Sequence, residues 1–569
     1  MLRFAGISAV LVCCLTTLTF ADIVGHIADT VTHASIANVK VTVIGTTSTA
    51  TTDGQGNFTI PTTFAVAVPA PAGSAAGLRP ILRDRLLALD APDNILAVSI
   101  VNSRGTAVFY RDLRQSATQR ASVQVPALAQ GMYLVDVALA RAHVTLRLLS
   151  AGGRMELAPE AVRAESGQAS LAKRDAVTTY AVSCENAAYK TREANVIDSG
   201  VNEIRLVPAS SSSYYYFEPV QLDDGITTGT VKAASMSQSL MEGAALKALN
   251  KVNCHEIHSI LVCKDSKLVF EEYFYGNNDT INFENNVSRV SNGNIQWSRT
   301  LKHYIASATK AITSTVVSIA LDKMGLTPDE KIAKYLPSYS ALFTGQKANL
   351  TLKNCLNMES GLDWNEWGGP DLNNMWSVSD TDFTAFVLNH NSRSTPGTEW
   401  VYCSGLPNVE LHVVQNMVQD SAARFIRQNL LAPLGITDIK WETQHGKGML
   451  PEGAARLFIR PRDMLKWGMT CLNNGQWQGV QVIPSAWLTA CRQVQYNGNY
   501  SNHFWITTYT YGTKTATAFA AEGDGGNYIC MFPSLNMVVV FTGGLYLESP
   551  TYDNQITDFL TNYILPAAG

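Results

Sequence analysis

Hydrophobic spacing changes character partway along the chain. From Asp22 to Ile60, short β-branched runs such as NVKVTVIGT and NFTI alternate with turn residues, the pattern of strand, turn, strand. Two further strand pairs are predicted in ILAVSIVNSRGTAVFYRDL and VQVPALAQGMYLVDV, and another strand-rich stretch spans residues 179–208. A break follows at PASSSSYYYFEPVQLDDG, residues 208–225, where a serine run, tyrosines and paired acids mark a linker. Beyond it, long helical periods mix with strands. IHSILVCKDSKLVFEEYFYG (257–276) predicts a hairpin with an Asp-Ser turn, and DSAARFIRQNLLAPLGI (420–436) predicts an amphipathic helix ended near Pro433 and Gly435. GNYICMFPSLNMVVVFTGG (526–544) predicts a second hairpin whose VVVF strand is central and buried. Strands at both ends with helices between them predict one α/β domain, built on an antiparallel sheet closed by its two ends.

One helix breaks the apolar pattern. In HYIASATKAITSTVVSIALDKMG, residues 303–325, Ile305, Ile312, Val316 and Ile319 share the buried side, yet the same stretch carries Lys310 three places after Ser307. An ammonium group in apolar surroundings is costly without a partner or a task. Positions i and i+3 meet on one helix face, and a lysine that burial has made less basic can take a serine's proton. A serine at a helix start also presents its own N–H to a developing oxyanion. Taken alone, the spacing is equally that of a helix whose lysine reaches to solvent.

Downstream residues complete a set. GTEWVYCSG (397–405) places Tyr402 after a Pro-Gly turn with Ser404 two places on, and a tyrosine beside an ammonium can carry protons. FAAEGDGGNYICMFP (519–533) puts glycines at the head of a strand, where backbone N–H groups can approach a substrate closely.

Composition bounds the rest. The chain has 569 residues, 46% hydrophobic and 16% charged, enough for two to four domains with real cores. A net charge of -4 provides no basic field, which argues against nucleic acid and anionic lipid as partners. The first residues, MLRFAGISAVLVCCLTTLTFA, combine Arg3, an apolar run from Ile7 to Leu15 and small residues at Thr19 and Ala21. This is the pattern of an export signal (1–21) cleaved after Ala21; the apolar run is shorter than the ~20 residues that span a membrane. Neither Cys13 nor Cys14 follows the small residues that lipoprotein processing prefers. The mature protein is expected in the periplasm or outside the cell, without stable membrane insertion. Its eight cysteines are scattered with no CxxC, so zinc is not expected, and buried free thiols are the plainer reading. Asp53, Gly54 and Gly56 form a hairpin turn more readily than a calcium loop, because the other acidic ligands are missing.

Two resemblances follow from these motifs. The TTDGQGNFTI region (22–65) and TYAVSCENAAYKTREANVIDSGVNEIRLVP (assigned within 165–207) resemble a carboxypeptidase-regulatory-like β-sandwich of secreted proteins. Between them, at about 90–150, the GMYLVDV ending resembles small β-domains found near the ends of secreted surface proteins. The region 22–207 is therefore expected to be a sandwich interrupted by a β module; two tandem sandwiches fit almost as well. Its expected role is a spacer or an adhesive contact with a cell surface or polysaccharide.

Residues 226–569 resemble serine β-lactamase-like hydrolases, close to class C β-lactamases, the esterases of that fold and 6-aminohexanoate-dimer hydrolases. IASATKAITSTVVSIALDKMG, LKNCLNMESGLDW, PGTEWVYCS, ARLFIRPRDMLKWGMTCLNNGQW and GDGGNYICMFPSLNMVVVFTGG carry that likeness. It implies an antiparallel sheet flanked by helices, a helical subdomain and a covalent acyl-enzyme formed without cofactor or metal. By the same likeness Ser307 is the nucleophile, Lys310 and Tyr402 handle its proton, and the N–H groups of Ser307 and Asp524 form the oxyanion hole. Ser404, Glu522, Gly523 and Gly525 are expected to line the pocket. Ser404 stands where many β-lactamases have asparagine, and Ala521 where they have lysine or histidine. These departures, with acidic Glu522 and Asp524, point away from β-lactams and toward a small ester or amide. The rival readings are a non-catalytic secreted binding protein and a true β-lactamase or D-alanyl-peptidase.

Overall fold

The computed structural model describes residues 22–61, 79–83, 86–102, 107–112, 118–124, 131–139, 143–151, 154–158, 179–198, 201–211, 213–282, 288–366, 369–377, 382–444, 450–494 and 499–569. The expected export signal, residues 1–21, lies outside them, as does the start of the stretch assigned to 165–207. Contacts divide the chain into two compact units: Met1–His26, Gly45–Thr179 and Val196–Glu203, and then Ile27–Ile44, Tyr180–Asn195 and Ile204–Gly569.

The first unit is strand-rich. Ile23 to His26 pair antiparallel with Ile60 to Asn57. The DGQG stretch is a turn: Asp53 Oδ1 accepts the N–H groups of Gln55 (2.9 Å) and Asn57 (2.8 Å), and Gly56 takes a φ of 78°. Between Arg79 and Ala158 the backbone forms a seven-stranded sheet around one long strand, Leu86–Asn102. That strand pairs antiparallel with Arg79–Arg83, Ala107–Asp112, Thr118–Gln124 and Gly131–Leu139, and the sheet continues through His143–Ala151 to Arg154–Ala158. The strands thus extend past both ends of the expected 90–150 module.

In the second unit, Val41 and Val43 of one short strand pair with Cys184 and Val182. The segment expected as a linker is docked by its polar tips. Tyr214 Oη donates to Glu272, Tyr216 Oη donates to the Val269 carbonyl at 2.8 Å, and buried Arg462 joins the Val220 carbonyl and Asp224 to Glu271. The tyrosines that read as linker composition are anchors to the neighbouring sheet.

That sheet has eight strands in the order Thr227–Thr228, Lys267–Tyr273, Ile257–Lys264, Met537–Gly543, Asn527–Phe532, Lys514–Gly523, Phe504–Tyr511 and Tyr500–Ser501. All neighbours are antiparallel except Thr227–Thr228, which runs parallel to Lys267 and Leu268, so the sheet is mixed rather than purely antiparallel. The predicted hairpin turn is present, with Asp265 and Ser266 at φ 51° and 62°. Strand alternation gives the sheet two apolar faces. Leu261, Cys263, Ala521, Ile529 and Val540 join one core with the helices Ala308–Met324 and Pro461–Leu472. Ile260, Val262, Ala520, Cys530 and Val539 join the other, with the helices Gln238–Leu249 and Thr551–Phe559.

The cysteines Cys184, Cys254, Cys263, Cys355, Cys403, Cys471, Cys491 and Cys530 are all buried as free thiols among the described residues. Among those residues, no helix is long and apolar enough to cross a membrane.

Candidate active site

The helix Ala308–Met324 is buried on every side from Ala308 to Leu321, where the sequence pattern predicted one buried face. Its small residues make this possible. Thr315 Oγ1 and Ser318 Oγ return hydrogen bonds to the carbonyls of Ile312 (2.6 Å) and Thr315 (2.7 Å), so these hydroxyls are buried already satisfied. Gly325 closes the helix in the left-handed conformation at φ 64°. At the other end Ala306 takes a φ of 46°, an unfavourable angle for a residue with a Cβ, and the next residue, Ser307, is turned into a partly exposed position.

Lys310 is 1% exposed, and its Nζ donates to two oxygens: Ser307 Oγ at 2.9 Å and the Ala454 carbonyl at 3.1 Å. Its Nζ also lies 5.0 Å from the centroid of the Tyr402 ring. The three residues singled out from separate motifs therefore converge. Tyr402 sits in a four-ring cluster, stacked on Trp505 (6.0 Å, 24°) and edge-on to Tyr500 (6.3 Å, 77°), with Trp400 closing it at 6.1 Å.

Two residues that the sequence did not single out shape the Ala454 carbonyl's position. Glu452, fully buried, accepts the N–H groups of Ala454, Ala455 (2.7 Å) and Arg456 (3.0 Å). Asn408 donates to Glu452 at 2.7 Å and accepts the Gly453 N–H at 2.9 Å. Gly453 has no room for a side chain, because a Cβ there would lie 2.4 Å from the Pro407 carbonyl oxygen.

Ser404 is buried and committed to another unforeseen partner. Its Oγ donates to Glu366 at 2.5 Å and its N–H to the other carboxylate oxygen at 3.0 Å; Trp364 Nε1 donates to the same group at 2.7 Å. The Ser404 hydroxyl is thus engaged in an internal bond.

The strand end Gly523–Asp524 lies against the start of the helix. A Cβ on Gly523 would fall 2.1 Å from the Ile305 carbonyl oxygen and 3.0 Å from the Ala308 nitrogen, so glycine is what permits this approach. Among the described residues, no acceptor takes the N–H of Ser307 or of Asp524. The Asp524 carboxylate accepts the Leu547 N–H at 2.9 and 3.0 Å and is pushed up to about 6, chiefly by desolvation. Ala521 is buried in the same core as the helix.

One pocket expectation needs correction. Strand alternation puts Glu522 on the other face of the sheet, with Ala518 and Ala520 and across from Tyr528, away from Ser307. Desolvation first, and then the charge of Asp553, push it up to about 8, so it holds its proton at neutral pH and adds no acidity to the site. Gly525, at φ 83°, faces the Tyr546 ring, which a Cβ would meet at 2.6 Å.

With this geometry in hand, likenesses to known proteins can be stated. Residues 258–546 match the family described as Beta-lactamase, and residues 84–149 match a secretion system C-terminal sorting domain. Protein flp of Staphylococcus aureus strain MRSA252 is 25% identical over 194 residues, 33% of this chain and 35% of that protein, so the match spans about a third of the relative's length. Among solved structures, the simvastatin synthase of Aspergillus terreus is 17% identical over 58% of this chain and 99% of its own, with a TM-score of 0.43. A family VIII carboxylesterase is 13% identical over 59% and 98%, with a TM-score of 0.44. A penicillin-binding protein homologue from Pyrococcus abyssi is 13% identical over 57% and 76%, at 0.41.

Proposed function

The chain belongs to the beta-lactamase family, and from that premise we propose that it is a secreted serine hydrolase that cleaves a small ester or amide through an acyl-enzyme on Ser307. The observation that carries this reading is the 2.9 Å contact between Lys310 Nζ and Ser307 Oγ at the start of a buried helix. In this step Lys310 acts as the neutral amine: with Tyr402 beside it, its lone pair takes the Ser307 proton as Oγ attacks the substrate carbonyl. The N–H groups of Ser307 and Asp524 hold the oxyanion, the same proton passes to the leaving oxygen or nitrogen, and water then releases the acyl group.

An ester or neutral amide suits this site better than a β-lactam. Ser404 is occupied by Glu366, and Ala521 supplies no cation for a substrate carboxylate. Secretion is supported by the amino-terminal apolar pattern and by the likeness of residues 84–149 to a sorting domain.

The test is a hydrolysis panel of short p-nitrophenyl esters, small linear amides and a chromogenic cephalosporin, run on the wild type and on Ser307→Ala. Ester turnover and labelling by a fluorophosphonate are expected in the wild type and absent from the variant. Turnover retained by Ser307→Ala would remove Ser307 from the reaction, and a wild type that neither turns over nor labels would favour a non-catalytic binding protein.

A further inference from the structure

Among the described residues, the proposed mechanism leaves a fully buried carboxyl–imidazole pair without a role. Glu410, on the helix Leu406–Val418, and His503 both have side chains with 0% exposure, and His503 Nε2 lies 3.0 Å from each Glu410 oxygen. On the other side of the ring, Nδ1 is 3.2 Å from the hydroxyl of Tyr500. In the tautomer with its proton on Nε2, His503 donates to the Glu410 oxygens. Nδ1 and the Tyr500 hydroxyl share the second bond, which orients the phenol.

Packing alone does not call for this arrangement, since an apolar pair of similar volume fills a core at no electrostatic cost. The backbone adds a second cost. Asn502 and His503 take φ values of 50° and 67° in the two-residue turn between the strands Tyr500–Ser501 and Phe504–Tyr511. Glycine is the low-strain residue at the second position of such a turn, yet a histidine is held there. The turn is secured by the His503 N–H on the Leu356 carbonyl (3.0 Å) and the Asn502 N–H on Asn357 Oδ1 (2.9 Å).

What the arrangement holds is the wall of the site. The Tyr500 ring is edge-on to Trp505 (4.8 Å, 78°) and to Tyr402 (6.3 Å, 77°), and Tyr402 is the ring 5.0 Å from Lys310 Nζ. We propose that Glu410, His503 and Tyr500 form a positioning relay that holds Tyr402 against Lys310. The relay rests on the reading of Ser307 as the nucleophile. It acts through Tyr402, the ring beside Lys310.

Wild type, Tyr500→Phe and His503→Gln are compared for p-nitrophenyl ester turnover and for the rate of fluorophosphonate labelling, with urea unfolding to establish that each is folded. Tyr500→Phe keeps the ring and removes one oxygen, so it decides the matter even where His503→Gln fails to fold. The relay predicts that kcat and the labelling rate fall roughly tenfold or more while KM stays near the wild-type value, because positioning in the transition state is lost and ground-state binding is kept. A folded Tyr500→Phe that labels as fast as wild type overturns the relay alone. Absence of labelling from the wild type overturns the serine-hydrolase reading and the relay with it.

Discussion

Asn408 and Glu452, both fully buried, meet at 2.7 Å across 44 residues of sequence, and between them they hold the turn whose Ala454 carbonyl receives Lys310. Three backbone N–H groups and one side-chain amide donate to this carboxylate. Asn408→Ala leaves Glu452 and the Gly453 N–H each short of a partner. The expected result is a loss of about 2–3 kcal/mol in urea unfolding, with a lower kcat for ester hydrolysis, since buried groups left unsatisfied cost about this much. A variant as stable and as active as wild type would show that the turn does not depend on this bond.

Gly523 is a second point of contact between sheet and helix. Because a Cβ there would sit 2.1 Å from the Ile305 oxygen, Gly523→Ala must push the strand away from the helix start. If the Asp524 N–H serves the oxyanion, kcat should fall by on the order of 10²-fold, the usual cost of losing one such donor. Steady-state kinetics on a p-nitrophenyl ester measures this, and an unchanged kcat would detach Asp524 from the reaction.

Glu522 yields a prediction about stability and none about chemistry. Its carboxyl is raised in the fold from the ordinary 4.5 to about 8, so the native state binds the proton more tightly than the unfolded chain does. Its contribution is therefore fully present below pH 4.5 and is lost as pH rises toward 8. Glu522→Gln should leave stability unchanged near pH 4.5 and raise it by on the order of 1–3 kcal/mol at pH 8, with ester turnover unaffected. Urea unfolding at the two pH values tests this; an equal shift at both would rule out proton linkage.

A buried histidine pair acts in the opposite sense. His258 Nδ1 and His303 Nε2 lie 2.7 Å apart, and His258 Nε2 lies 3.2 Å from Glu256. Desolvation pushes both rings below the ordinary 6.5, so each is held neutral in the fold. Their contribution is full above pH 6.5 and declines as pH falls below it, since the unfolded chain takes up protons that the folded one refuses. Wild type should lose stability between pH 6.5 and 5, and His303→Gln should flatten that slope. A slope unchanged in the variant would place the titration elsewhere.

Local pattern carried much of this site. Ser307 and Lys310 lie one helical turn apart, and Tyr402 and Gly523 sit in short turn-and-strand motifs, so local motifs drew attention to them and the family likeness of those motifs supplied their expected roles. Glu366, Asn408, Glu410 and Glu452 were not legible in that way. Each is a polar residue in an otherwise ordinary stretch, and its meaning comes from a partner 38 to 93 positions away. Glu522 was misplaced for a different reason. Side chains alternate along a strand, so its position next to Gly523 in sequence puts it on the opposite side of the sheet. The docked tyrosines at 214 and 216 show the limit of composition, because the same residues that read as a linker become anchors once Glu272 and the Val269 carbonyl are within reach.

The pairing of Ile257–Lys264 with Met537–Gly543 also bears on how the protein is made. The earlier strand sits near the middle of the sheet, almost wholly buried, and its neighbour on one side is not synthesised until nearly the whole domain has followed. Until then that edge is open, and an open apolar edge invites pairing with other chains. The long-range closure also slows folding, because a large loop must be brought together before the contact rewards it. A nascent or truncated chain lacking residues 537–543 would carry Ser307, Lys310 and Tyr402, every residue of the proposed proton-handling set, without the strand that joins Ile257–Lys264 to Asn527–Phe532.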